Sequence, residues 1–280
     1  MTPRVSVLIV SFNTCRLTLE SIASVVGESD AEVIVVDNAS DDGSADEIGA
    51  RYPSARLVRS DVNAGFAAGV NRAARLASGS AFVVLNSDAR VEPGAIGRML
   101  ALLEANPRAA LVAPALYYPD GRPQPAAFKF PGLVQIALDL YPIDRLTDRG
   151  LNGRIRAAQP TQIDHPLGAC MLIRRAAWQD VGPLDEGYFM YLEEIDWCRR
   201  ARARGWQIWH HPGARVIHHG GASTSQQPEA MLAQLWLARL RYYQRYHGPA
   251  YNRIVHGLVR MGLRRRGSRL QRRTSAPDPP

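Results

Sequence analysis

Three short stretches carry the residues best suited to chemistry: Asn86-Ser87-Asp88 closing an apolar run, Glu193-Glu194-Ile195-Asp196 far downstream, and Val216-Ile217-His218 beyond it. A carboxylate at the end of a buried strand can hold a divalent cation, and a second carboxylate on another element can take a proton from a hydroxyl. Together these two steps suit transfer of a group from a phosphate-activated donor. Asp88 offers a carboxylate and Asn86, two residues earlier on the same side of a strand, an amide oxygen. Mg2+ and Mn2+ accept such oxygen ligands and leave positions open for phosphate. Taken alone, the same residues also suit a polar turn before a helix that starts near Pro93.

In the acidic cluster, helical spacing puts Glu193 and Asp196 on one face, with Glu194 rotated from them. Crowded carboxylates raise the pKa of one member, which helps a base. The first turn of a helix also favours negative charge, so position alone leaves open which of the three takes a proton. Of His218 and His219, adjacent on a strand, only one can point to a given face.

The elements that must position these groups follow from the apolar pattern. Val5 to Val10, Val33 to Val36 and Ala81 to Leu85 are short, β-branched runs without alternation, as expected for strands covered on both faces. A further strand is expected at Ala55 to Arg59, and helices at Leu17 to Val26, Ser44 to Ala50 and Phe66 to Ala77. This order predicts an α/β fold with a doubly wound, mostly parallel sheet and a ligand crevice at the carboxyl ends of its strands. Small polar residues stand at those ends: Ser11-Phe12-Asn13, Asp37-Asn38-Ala39-Ser40 and Asn86-Ser87-Asp88. The loop Asn63-Ala64-Gly65-Phe66 leads into Asn71, and its helix N-terminus could face a phosphate.

Residues 115–165 are rich in proline and read as an irregular insertion or lid. A strand is expected at Gly168 to Ile173, then a helix across Asp185 to Gly205 interrupted near Tyr188 to Tyr191. Trp206 to Trp209 and Ala214 to Ile217 read as two strands joined by a turn at Pro212-Gly213. From Gln226, residues Met231, Leu232, Leu235, Trp236, Leu240 and Tyr243 recur at helical spacing, and a basic, disordered end follows.

The 280 residues carry a net charge of +8, and 46% are hydrophobic, enough for one sizeable α/β domain with appendages. The charge is unevenly placed. Residues 230–280 hold eleven arginines and one acid, Asp278, while the rest of the chain has 23 basic and 25 acidic residues. Cys15, Cys170 and Cys198 are widely spaced, which excludes a disulfide framework or a zinc finger. The N-terminus enters a strand directly and no run approaches a membrane span. A cytoplasmic protein is expected, peripheral on the inner face of a membrane, where the basic end meets anionic lipid and the apolar stripe of the preceding helix lies in the interface.

From Val5 to about Ser223 the chain resembles family-2 glycosyltransferases, especially the bacterial rhamnosyltransferase-like branch. Eight blocks carry the resemblance in order: Val7 to Asn13, Val35 to Ser44, Asn63 to Asn71, Leu85 to Ala89, Gly168 to Arg175, Val181 to Glu186, Glu193 to Cys198, and Val216 to Ser223. It implies a GT-A fold over residues 1–225, with a nucleotide-binding half (1–114), the insertion (115–165) and an acceptor and catalytic half (166–225), followed by the helical basic extension 226–280. It further implies an inverting, metal-dependent transfer from a nucleotide sugar, L-rhamnose by branch, to a glycan or lipid-linked acceptor in cell-envelope polysaccharide synthesis.

By the same resemblance, Ser11, Asn13 and Asp37 line the nucleoside pocket, and Asn63, Gly65, Phe66, Asn71 and Asn86 complete the donor site. Asp88 and His218 hold Mg2+ or Mn2+, and Gly168 and Ala169 lie on the acceptor side. Glu194 stands where the family has the base aspartate of its Glu-Asp motif, with Asp196 and Glu193 as alternatives. A nicotinamide oxidoreductase on a similar sheet would need a glycine-rich turn where Ser11-Phe12-Asn13-Thr14 stands. Nucleic acid is not an expected partner; binding of nucleic acid or membrane through the arginine-rich end is the alternative function.

Overall fold

The computed structural model describes residues 4–26, 31–140 and 153–274, with side chains described for all of these except 139, 140 and 262–274. Strands β1 (Val5–Ser11), β2 (Ala31–Asp37), β3 (Arg56–Arg59) and β4 (Ala81–Asn86) alternate with helices α1 (Cys15–Val26), α2 (Ser44–Arg51) and α3 (Phe66–Leu76). β1 pairs in parallel with both β2 and β4, and β2 with β3. Next come β5 (Ala89–Val91), α4 (Ala95–Ala105) and β6 (Ala109–Tyr117).

The 115–165 stretch contains the short strands β7 (Pro123–Gln124), β8 (Ala127–Phe128), β9 (Thr161–Ile163) and β10 (His165–Pro166) and helix α5 (Leu133–Leu140); its residues 141–152 lie outside the described residues. β11 (Cys170–Arg174), α6 (Arg175–Val181), α7 (Glu193–Ala203) and β12 (Gln207–His218) come next, and α8 (Pro228–Tyr246) and α9 (Pro249–Thr274) follow.

The main sheet runs β3-β2-β1-β4-β11-β6-β12-β5, with β7 and β9 at its margins. β11 is antiparallel to both its neighbours, and β12 lies parallel to β6. Alternation along β1 divides its side chains between two cores. Val5, Val7 and Ile9 join Ile22, Ile48 and Met99 of the helices on one face, whereas Leu8 and Val10 join Phe66, Val70 and Trp197 on the other. Burial on both faces explains why the strands read as unbroken apolar runs.

Three elements differ from the sequence reading. Gln207–His218 is one strand, not two joined by a turn: Pro212-Gly213 fall in a bulge where the register shifts between His211, opposite Pro114, and Arg215, opposite Ala115. Pro114 has no N–H to give its neighbours, so the ladder breaks there and β12 bows around it. The helix expected from Asp185 begins only at Glu193, because Tyr191 and Leu192 adopt left-handed φ values of 73° and 66°.

The third difference is at the C-terminus. The basic stretch expected to be disordered is helical to Thr274, and the last six residues lie outside the described residues. The apolar stripe of α8 packs inward: Trp236, Tyr242 and Tyr243 are buried with Tyr188, Leu192, Ile195, Val255 and Val259. Each such aromatic ring removes about 150–250 Å² from water, so α8 is docked on the catalytic part and these rings are not open to lipid. Among the described residues no helix is long and apolar enough to cross a membrane.

Candidate active site

A cavity of about 640 Å³ opens at the carboxyl ends of the strands. β4 brings Asn86, Ser87 and Asp88 to it, β12 brings His218, and the N-terminal end of α7 brings Glu193 and Glu194. The distant carboxylates therefore face one space. The cavity meets α7 end-on, so both of its first two residues reach it even though helical spacing separates their faces.

Asp88 and His218 form a pair. The Asp88 Oδ1 lies 3.3 Å from His218 Nε2, its Oδ2 accepts the Ala222 N–H at 3.2 Å, and its carbonyl accepts the His219 N–H at 3.0 Å. On the far side of the ring, His218 Nδ1 meets Gln124 Oε1 at 2.9 Å. A donor proton on Nδ1 leaves Nε2 as a lone pair aimed at Asp88, the usual preparation of a metal-ligating imidazole. Nε2 is buried without an aligned hydrogen bond. Burial raises the Asp88 carboxyl, but with no cation between the two groups a proton on His218 Nε2, together with the Ala222 N–H, outweighs burial and holds the carboxyl below its ordinary range.

Two facing acceptors fit a divalent cation. No group of three or more His, Cys, Asp or Glu gathers as a fuller cage among the described residues. Mg2+ and Mn2+ need few protein ligands when a diphosphate supplies others.

Glu193 and Glu194 are nearly fully buried, each with an Oε2 that finds no hydrogen-bond partner among the described residues. Burial raises the Glu194 carboxyl to about 7. Glu193 is raised well above the usual range by burial and by the charge of Glu194. Glu194 thus ionises near neutrality, and Glu193 beside it is raised as well, so a second negative charge is disfavoured there, an environment suited to general base work. Gly168 lies beside Glu194, whose side-chain carbons would be 3.5 Å from a Cβ at that position. Ala169 joins β11 to the end of β4 by accepting the Asn86 N–H at 2.9 Å.

Of the expected donor residues, Asn63, Phe66 and Asn86 line the cavity with Gly168 and Ala169, but Ser11, Asn13, Asp37, Gly65 and Asn71 do not. Ser11 is buried against Thr18, and Asp37 accepts the Ser40 N–H and hydroxyl, so its carboxylate ties its own loop. Asn38 faces the cavity instead and donates to Asn63 Oδ1 and the Gly65 carbonyl. Asn13 is held by Ser40, Asp41 and Gln226, and Asn71 fastens Leu184 and Glu186.

The N-terminus of α3 is not open to a phosphate. The Phe66 N–H donates to the Phe189 carbonyl at 2.8 Å, and Asn63 Oδ1 accepts the Gly65 N–H. Gly65 has φ +88°, and a Cβ there would lie 2.3 Å from the Phe189 oxygen.

Asp196 is wholly buried but turned from the cavity: Arg200 Nε lies 2.8 Å from its Oδ2, and the Tyr246 hydroxyl donates to Oδ1 at 2.7 Å. With both oxygens engaged, it is not placed to meet an acceptor. Phe12, Gln124, Phe189, Met190, Tyr191 and Met231 line the cavity without having been singled out. Phe12 and Tyr191 adjoin noted segments, whereas nothing in the sequence marks Gln124, which lies in the proline-rich stretch.

A mostly parallel sheet carrying an Asp–His pair and a buried carboxylate pair at one cavity defines the class, a GT-A glycosyltransferase. The fold agrees with solved structures. A mannosyltransferase from Pyrobaculum calidifontis, PcManGT in complex with GDP-Man and Mn2+, matches with a TM-score of 0.60 and 18% identity, covering 91% of this chain and 69% of its own. GalNAc-T7 with UDP, GalNAc and Mn2+ matches with a TM-score of 0.60 and 16% identity, covering 78% and 43%.

The chain belongs to glycosyltransferase family 2: residues 6–182 match the family described as Glycosyl transferase family 2. It is 32% identical over 226 residues to the N-acetylglucosaminyl-diphospho-decaprenol L-rhamnosyltransferase of Mycobacterium tuberculosis, covering 75% of this chain and 73% of that protein. This chain is accordingly a glycosyltransferase of the rhamnosyltransferase-like branch.

Proposed function

We propose that this glycosyltransferase moves a sugar, L-rhamnose, from a deoxythymidine-diphosphate donor to a hydroxyl of a lipid-linked glycan, with inversion at the anomeric carbon. The observation that carries the reading is that Asp88 and Glu194, from separate elements, line one cavity. The choice of sugar and acceptor rests on the name of the M. tuberculosis relative.

Asp88 and His218 would hold Mg2+ or Mn2+, with Asn86 beside them; a cation there would supply positive charge against the negative charge of the leaving diphosphate. Glu194 accepts the proton of the acceptor hydroxyl as its oxygen bonds to the anomeric carbon, and the pair of electrons of the breaking C–O bond leaves with the nucleoside diphosphate. Burial and the charge of Glu194 both raise the Glu193 carboxyl, which disfavours a second negative charge beside that base. Phe12, Phe66, Phe189 and Met190 give the cavity apolar walls, which disfavour water as a competing nucleophile.

The acceptor reading also supports docking on an anionic membrane. Exposed Ile254 and Met261 lie on α9 with exposed Arg253 and Arg260, and Leu237 is exposed on α8. Basic residues near such a surface contribute about 1 kcal/mol each.

The test is transfer by the purified full-length protein with a panel of nucleotide sugars, a polyprenyl-diphosphate N-acetylglucosamine acceptor, and Mg2+ or Mn2+. Transfer from the deoxythymidine-diphosphate rhamnose donor is expected, and it is lost on adding chelator or on Asp88→Ala. Full transfer in either condition would sink the metal assignment.

A further inference from the structure

The family match ends at residue 182, so both α8 and the segment 185–196 that carries the cavity carboxylates lie outside it, and two arginines of α8 grip that segment. Arg241 Nη2 lies 3.0 Å from both oxygens of Asp185. Arg245 Nη1 reaches Asp185 Oδ2 at 2.7 Å and Asp196 Oδ1 at 3.2 Å, so one nitrogen bridges two carboxylates from opposite ends of the 185–196 segment. The Tyr246 hydroxyl adds its bond to Asp196.

Arg241 also crosses the backbone closely. A Cβ on Gly187 would stand 2.1 Å from Nη2, and the guanidinium carbon lies 5.2 Å from the Tyr188 ring centroid.

Between the two gripped ends lie Phe189, Met190 and Tyr191 of the cavity wall, then Leu192, then Glu193 and Glu194. Tyr191 and Leu192 are consecutive left-handed residues without the freedom of glycine. Such a backbone is strained and persists only when its surroundings over-determine it. The surroundings here are the Phe189 carbonyl bond to α3 on one side and α8 on the other. The strained pair stands immediately before the carboxylates, so relaxation there would turn the first turn of α7 within or out of the cavity.

We propose that Arg241 and Arg245 are positioning residues: from the C-terminal helix they fasten both ends of the 185–196 segment and thereby hold Glu194 at the acceptor. This rests on the reading of Glu194 as the base. It assigns α8 a part in turnover apart from any lipid contact, since the arginine heads that would be used are committed to Asp185 and Asp196.

The experiment is a double-mutant cycle in the full-length protein. Arg245→Met and Arg241→Met, which keep an apolar stem and remove the charge, are measured in the wild-type and Glu194→Gln backgrounds, with Arg245→Lys as the conservative variant. In the wild-type background each methionine variant is expected to lower kcat about tenfold or more with donor KM within about twofold, and lysine to restore most of the loss because a single nitrogen makes both contacts. In the Glu194→Gln background the same substitutions should change the residual kcat by less than about twofold, since the group they position is already gone.

An equal loss in both backgrounds, or a rise in KM with kcat unchanged, overturns the positioning role alone. Wild-type turnover by Glu194→Gln itself overturns the base assignment, and the proposal falls with it. Circular dichroism and melting establish that the variants fold. Should the methionine variants not fold, Tyr246→Phe removes only the hydroxyl on Asp196 and carries the same comparison: a kcat loss of about threefold, confined to the wild-type background, is expected, and its absence refutes the role.

Discussion

Glu194→Gln should make the protein more stable at alkaline pH while disabling it. A buried carboxyl raised from the ordinary 4.5 to about 7 holds its proton more tightly folded than unfolded. Its contribution to stability is therefore fully present below about pH 4.5 and is lost as pH rises through about 7. Each pKa unit corresponds to about 1.36 kcal/mol, so the wild type forfeits about 3 kcal/mol from this group by pH 8. Glutamine keeps the shape without the charge and avoids that loss.

In paired thermal melts the variant should exceed the wild type by roughly 6–10 °C at pH 8, with the difference below about 1 kcal/mol at pH 5. Turnover should fall by about 10²–10⁴-fold, and wild-type kcat should rise with pH to a plateau above about 7, because the ionised form takes the proton. A variant no more stable than wild type at pH 8, or more stable by the same margin at pH 5, would refute the claim that burial sets this carboxyl near neutrality.

Two further outcomes are expected. Gly65→Ala should destabilise the fold by about 2–3 kcal/mol, combining about 1–2 kcal/mol for a side chain at positive φ with about 1 kcal/mol for the displaced Phe66–Phe189 bond; an unchanged melting temperature would contradict the close approach of that carbonyl. Sedimentation with anionic liposomes should be strong at low salt and weak at high salt, and absence of binding at either salt would remove the membrane from the acceptor scheme.

Where the sequence was legible, a local rule was enough. The unbroken runs of β1, β2 and β4 gave the parallel sheet because both of its faces are covered, and the polar residues after them marked the cavity end. Asp88, Glu194 and His218 stood out by type and by family resemblance, and all three line the cavity. What failed to show was tertiary. The carboxylate of Asp37 and the hydroxyl of Ser11 turn inward to their own loops, while the neighbouring Asn38 turns to the cavity. No pattern around Asp196 announces that Arg245 and Tyr246 will close over it from another helix. Pro212-Gly213 has the composition of a turn, and its place as a bulge opposite Pro114 and Ala115 depends on pairing across the sheet.

The antiparallel strand β11 between β4 and β6 has a consequence for how this chain is made. β6 pairs over most of its length with β12 and at Leu111 and Val112 with β11, both synthesised after it, and the free side of β4 likewise waits for β11. As the chain leaves the ribosome, Ala109 to Tyr117 therefore emerges as an apolar strand with no long mate, a template for mispairing between nascent chains. The sheet closes only once Cys170–Arg174 has been translated and placed in the gap between β4 and β6.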